Sequence, residues 1–229
     1  MTGSEGLTGV HDAAPRAIGL LGGSFDPIHV GHLQLARAAL TGLPLAELRL
    51  LPAGRPWQKG ALTTAEHRLR MVELAIAGAP RLVCDPRELH RAGPTYTIDT
   101  LRELRSELGA AMPLVLVLGA DQLQRLDTWR DWQRLTEYAH LAVAGRPQAD
   151  APLPAAVQTF VDARRAAPAA VGTATCGRVV SIDMAPVDAA ATEVRRLLAA
   201  PRTAADDARL AQLLPAAVLD YIHAHRLYS

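Results

Sequence analysis

The sequence predicts an α/β fold, a doubly wound parallel sheet with a helical C-terminal segment, on three observations. Short apolar runs alternate with amphipathic stretches along the chain. The first run ends in a glycine-rich turn that opens a helix. At 229 residues the chain is long enough to bury one sizeable core. The boundaries read as a loose tail over 1–15 and one domain over 16–229.

Apolar runs at 17–21, 48–51, 82–84, 114–118, 141–144 and 179–182 read as buried strands. Amphipathic helices read over 32–40, over 64–77 behind a capping box of Thr63 and Glu66, over 98–108 and around 155–165. Another helix follows Thr192 and carries Arg195. The last, LLPAAVLDYIHAHRLY, turns Val218, Tyr221 and Ile222 to the core and His223 and His225 to solvent. Strands that alternate with helices form a parallel sheet covered on both faces. Ligands of such sheets bind beyond the strand ends where strand order reverses, and the loop after the first strand is the candidate for that point.

That loop reads GGSFDPIHVGH, Gly22 to His32. Gly22 and Gly23 let a phosphate chain approach the backbone, and Ser24 and Phe25 continue the turn. Asp26 reads as the helix N-cap with Pro27 at the first helical position. Backbone N–H groups and the positive end of the helix dipole then favour an anion. His29 and His32 share one face of the helix start and can donate to phosphoryl oxygens, and Gly31 between them leaves room for a base or ribose. No Gly-Lys-Ser/Thr closes the loop as in a Walker motif, and the histidine spacing is not that of a zinc helix.

Further candidates stand at other strand ends. Gly119 and Asp121 in LGADQL offer close approach and an acceptor for a ribose or adenine donor, or simple turn chemistry. Tyr96, Thr97 and Ile98 open a helix whose N–H groups can receive an anion. Trp129 and Trp132 stand three apart beside Arg130; Trp132 reads as core, and Trp129 reads as core or as a stacking surface. Arg146 in AGRPQ reads as a nucleotide contact or a turn residue. Thr192 and Arg195 read as phosphate holders, or as a cap and a solvated charge.

Composition narrows the class. A net charge of +1 argues against a dedicated nucleic-acid binder. No apolar run is long enough to span a membrane, and the first fifteen residues lack the pattern of a signal peptide. Cys84 and Cys176 read as buried thiols of a reducing compartment, which places the chain in the cytoplasm. Lys59 is the single lysine among 24 basic residues. It stands in LPAGRPWQKG, as a substrate-binding group or as a solvated loop charge.

GGSFDPIHVGHL resembles the signature of the HxGH nucleotidyltransferases. With YTIDTL, LGAD followed by W-x-x-W, GRP, T-x-V-R and the ending V-x-x-YI-x-x-x-x-LY in that order, the chain is similar to the bacterial nicotinate-nucleotide adenylyltransferases from about Ala17 to Tyr228. The resemblance implies a Rossmann-like sheet and adenylation of nicotinate mononucleotide by ATP with Mg2+, in NAD biosynthesis. It implies that His29 and His32 bind ATP phosphates and stabilise the transition state. Gly22, Gly23, Ser24 and Phe25 would line the nucleotide cleft, and Gly119, Asp121 and Arg146 would approach adenosine. Lys59, Thr192 and Arg195 would hold phosphates. Tyr96, Thr97, the backbone near Ile98 and Arg130, and the face of Trp129 would recognise the nicotinate. Two positions depart from the pattern: Ala190 stands where serine is expected, and Gln58 where histidine is expected. Nicotinamide mononucleotide and phosphopantetheine are alternative acceptors. A non-catalytic ATP sensor and a fragment of a class I aminoacyl-tRNA synthetase are alternatives of another class.

Overall fold

A computed structural model describes residues 16–55, 62–145, 152–199, 201 and 203–228. The N-terminal tail, Gln58, Lys59 and Arg146 lie outside the described residues. Seven strands, β1 (Ala17–Gly23), β2 (Leu45–Pro52), β3 (Leu82–Cys84), β4 (Leu114–Gly119), β5 (His140–Ala144), β6 (Arg165–Ala166) and β7 (Val179–Ile182), form one sheet in the order β3-β2-β1-β4-β5-β7-β6. Every pairing is parallel. β1 pairs with β2 on one side and β4 on the other, so strand order reverses at the exit of β1.

The helices are α1 (Val30–Gly42), α2 (Ala65–Ile76), α3 (Thr97–Leu108), α4 (Ala120–Leu123), α5 (Ala155–Asp162), α6 (Ala191–Ala199), α7 (Ala204–Leu213) and α8 (Ala216–Ala224). Strand side chains alternate between two cores, as the pleat requires. Ala17, Leu21, Val115, Val117, Ala142 and Ala144 pack with α1, α2, α6, α7 and α8 on one face. Ile18, Leu20, Leu114, Leu116, Leu118, Leu141 and Val143 pack with α3 and α5 on the other. The sheet is therefore wound on both sides. Among the described residues no helix is long and apolar enough to cross a membrane.

Several local expectations are corrected. Asp26 is not the cap of the first helix: α1 begins at Val30 with His29 as N-cap. Thr63 and Glu66 form no capping box, because Thr64 is the N-cap of α2 and the Thr63 N–H approaches Asp26 Oδ2 at 3.4 Å. The helix expected over 155–165 stops at Asp162, where the chain extends to add β6 to the edge of the sheet. Thr192 is not a cap, since it lies inside α6. The first helical bond there runs from the Val194 N–H to the Ala190 carbonyl, which puts Ala190 at the N-cap position. Both cysteines are half-buried rather than buried. Burial and the nearby Glu73 and Asp85 push the Cys84 thiol up to about 12, and the Cys176 thiol donates to the Glu137 carbonyl. His223 and His225 are exposed, as expected.

Candidate active site

At the exits of β1 and β4 the sheet opens into a cleft of about 330 Å³, with the turn after β1 on one wall and the N-terminus of α3 on the other. Gly22, Gly23, Ser24 and His32 line the first wall, Gly119 and Asp121 the β4 end, and Tyr96, Thr97, Trp129 and Arg130 the far wall.

The turn holds its histidines in a fixed arrangement. The His29 N–H donates to Nδ1 of His32 at 3.3 Å. Because a backbone N–H can only donate, Nδ1 is the acceptor and the imidazole proton sits on Nε2. The two rings stack with centroids 3.8 Å apart, and Phe25 meets His32 edge-on at 5.0 Å. Phe25 has a positive φ of 47° and is fully buried, so its side chain supports His32 from the core instead of lining the cleft. A Cβ on Gly31 would lie 3.1 Å from the His29 ring. A side chain at position 31 would therefore crowd the His29 ring.

Arg68, which drew no attention in the sequence, is 2 % exposed and staples this wall together. It donates to the carbonyls of Ser24 at 2.9 Å, Ala53 at 2.7 Å, Gly54 at 3.2 Å and Thr63 at 3.0 Å. Burial draws its guanidinium down from the usual arginine range, and the neighbouring Asp26 opposes that shift. Arg195 does not line the cleft: it donates to the Asp26 carbonyl at 2.6 Å and reaches Thr192 Oγ1 at 3.4 Å.

The far wall is built around the first turn of α3. Tyr96 is its N-cap, with the Arg130 guanidinium 4.8 Å from the ring centroid. Thr97 and Ile98 are its first helical residues, whose N–H groups lack intrahelical acceptors by helix geometry. The Ile98 side chain is fully buried in the core, leaving its backbone as the part able to meet a ligand. Trp129 packs on that core while lining the cleft, and its buried Nε1 has no hydrogen-bond partner among the described residues. Trp132, expected in the core, is half-buried and packs against it, meeting Phe160 edge-on at 5.0 Å.

The sequence reading also missed Glu88, Thr95, Gln122 and Arg125, which line the same cleft. Glu88 lies on the 3₁₀ turn Arg87–His90 and accepts from Thr100 Oγ1 at 2.7 Å, while Arg91 donates to that hydroxyl at 2.9 Å. This chain ties the turn to the first turns of α3. Burial raises the Glu88 carboxyl above its usual range, against the opposing pull of Thr100 and Arg91. A Cβ on Gly54 would stand 2.1 Å from the Glu88 carbonyl, so only glycine allows the loop after β2 to pass there. An R-E-L-H-R run with a threonine twelve residues after its acid was the available signal for Glu88. Nothing local in the sequence distinguishes Arg68.

The cytidylyltransferase-like family model matches residues 20–196. The chain is 44 % identical over 214 residues to a probable nicotinate-nucleotide adenylyltransferase of Bordetella petrii, covering 93 % of this chain and 99 % of that one. It is 48 % identical over 214 residues to one of Laribacter hongkongensis, at 93 % and 94 % coverage. Among solved structures it is similar to the nicotinic acid mononucleotide adenylyltransferase of Plasmodium falciparum complexed with NaAD, with a TM-score of 0.72, 18 % identity and coverage of 93 % and 97 %. At that identity the likeness is one of fold.

Two outcomes follow from the geometry. Replacing Arg68 by Met leaves buried carbonyls without a donor, so R68M is expected to lose at least about 3 kcal/mol of unfolding free energy in urea titration. Glu88→Gln keeps an oxygen to accept from Thr100. The folded Glu88 carboxyl titrates above 4.5, so the stability of its neutral form is full below that pH and is lost as pH rises through the folded value. The variant should therefore gain on the wild type as pH rises above 4.5, read from urea midpoints across a pH series; a constant offset contradicts this.

Proposed function

The chain belongs to the cytidylyltransferase-like family and, within it, to the nicotinate-nucleotide adenylyltransferases, and on that premise we propose that it transfers AMP from ATP to nicotinate mononucleotide. The products are nicotinate adenine dinucleotide and pyrophosphate, a step of NAD biosynthesis. One observation carries the reading: a glycine-rich turn with His32 and a helix N-terminus beside an indole line one cleft. The first suits a triphosphate. The second suits a carboxylated aromatic ring, with α3 N–H groups and Thr97 for the carboxylate, Trp129 for the ring, and Arg130 and Tyr96 at the rim.

In the reaction, a 5′-phosphate oxygen of the mononucleotide attacks the α-phosphorus of ATP in line. The new P–O bond forms as the bond to the β-phosphate oxygen breaks, and pyrophosphate leaves with that electron pair. The acceptor phosphate is already a competent nucleophile, so no enzyme nucleophile is needed. Alignment and charge neutralisation supply the rate. His32, with its proton on Nε2, donates to the transferring phosphoryl group, and His29 and the backbone of Gly22, Gly23 and Ser24 hold the phosphates. Gly119 and Asp121 approach the adenosine. Lys59 and Arg146 would contact the nucleotide, while Arg195, which also donates to Thr192, acts by fixing the turn through the Asp26 carbonyl.

Magnesium bound to ATP phosphates would supply further positive charge. The cleft suits a metal carried in this way: among the described residues its wall carboxylates are Asp121, which is exposed, and Glu88, which is buried and engaged by Thr100, and Mg2+ would keep waters and substrate oxygens as ligands. A reaction that consumes ATP and a phosphorylated mononucleotide fits a cytoplasmic setting.

Pyrophosphate release with ATP and equal concentrations of nicotinate mononucleotide, nicotinamide mononucleotide or phosphopantetheine tests the assignment. The nicotinate form should turn over fastest; a faster nicotinamide form overturns the acceptor, and no release with any of them overturns the enzyme. His32→Ala should lower kcat about 10²-fold while the protein stays folded by circular dichroism, the scale for losing one oriented donor.

A further inference from the structure

Asp26 lies in the Gly22–His32 turn, yet the residue is 3 % exposed and is not among those lining the cleft. Tyr228 donates its hydroxyl to Asp26 Oδ1 at 2.6 Å, across 202 residues of sequence. The Thr63 N–H approaches Oδ2 at 3.4 Å, and Arg195 holds the Asp26 carbonyl at 2.6 Å. Two residues of this contact have left-handed backbones: Phe25, directly before Asp26, at φ 47°, and Tyr228 itself at φ 67°. That conformation is uncommon for large side chains and persists where surrounding contacts over-determine it.

The contact is not needed merely to dock the last helix. Val218 and Ile222 of α8 are buried in the core of the first face, and the Tyr221 hydroxyl pairs with His67 Nδ1 at 2.8 Å. α8 is therefore anchored to α2 before the chain reaches Tyr228. What Tyr228 adds is a bond to the one acid in the turn that carries His29 and His32. Burial and the adjacent Asp26 push the phenol upward, so it remains a protonated donor throughout the neutral range.

We propose that Tyr228 and Asp26 form a C-terminal clasp that holds the Gly22–His32 turn in register with the transferring phosphates, which makes Tyr228 a positioning residue for nucleotidyl transfer. The clasp acts through the turn and touches neither substrate. Its effect on rate rests on the adenylyl-transfer reading, whereas its effect on the turn does not.

The test compares the full-length wild type with Tyr228→Phe, Tyr221→Phe, Asp26→Asn and Asp26→Ala. Tyr228→Phe should lower kcat about tenfold, the scale of a small misplacement of reacting groups, with KM for nicotinate mononucleotide within about twofold. Tyr221→Phe, which loosens α8 without touching the clasp, should keep the wild-type kcat. Asp26→Asn retains an oxygen for the phenol and should recover most of the activity that Asp26→Ala loses. Hydrogen exchange of the peptide spanning 22–33 should be faster in Tyr228→Phe and unchanged in Tyr221→Phe. Wild-type kcat in Tyr228→Phe, an equal kcat loss in Tyr221→Phe, or unaltered exchange of the turn would each overturn the clasp. Should Tyr228→Phe not fold, equal activities of Asp26→Asn and Asp26→Ala overturn it. If the wild type releases no pyrophosphate, the substrate assignment fails while the exchange comparison still decides the clasp.

Discussion

A single guanidinium, that of Arg68, donates to carbonyls from the exit of β1, the exit of β2 and the entry of α2. Parallel sheets place their ligand-binding loops at the ends of strands, where backbone groups have left the ladder and need other partners. Arginine suits this task because its planar fork offers several donors at fixed angles and it keeps its charge when buried. Asp26 supplies the compensating negative charge nearby. The histidines can be held in place because the loop that carries them is tied to its neighbour from below.

The two walls of the cleft are stiffened by different means and suit different anions. On the β1 side the support is a buried cation and a buried acid, with Tyr228 and Arg195 closing on Asp26. On the α3 side it is Glu88, Thr100 and Arg91, which lock the first turns of the helix to the preceding 3₁₀ turn. Each wall presents backbone N–H groups whose positions depend on side chains buried behind them. Preorganised donors of this kind need little rearrangement when charge develops on a phosphoryl group.

The alternation of apolar runs and amphipathic helices made the sheet legible, because strands buried on both faces must be apolar throughout. The β6 edge strand was not legible, since a two-residue strand leaves no periodic trace. Ten of the expected site residues, Gly22, Gly23, Ser24, His32, Tyr96, Thr97, Gly119, Asp121, Trp129 and Arg130, line one cleft. Asp26 misled because an acid before proline reads as a helix start, whereas its partners Tyr228 and Arg195 are remote in sequence. Arg68 was missed because a charged residue on an amphipathic stretch reads as solvated until its tertiary partners are known. Ala190 at the N-cap of α6 shows the reverse case, in which the departure was visible in the sequence and its helical position was not.

The central claim is that the two ends of this cleft receive the two halves of one dinucleotide. A crystal structure of the protein with nicotinate adenine dinucleotide bound tests it most directly. The pyridine ring should lie on Trp129 with its carboxylate at the N–H groups of Thr97 and Ile98, the bridging phosphates against the Gly22–Ser24 turn and His32, and the adenosine toward Gly119. A dinucleotide bound in the opposite sense, with its adenine on Trp129, or bound outside the cleft, would contradict it.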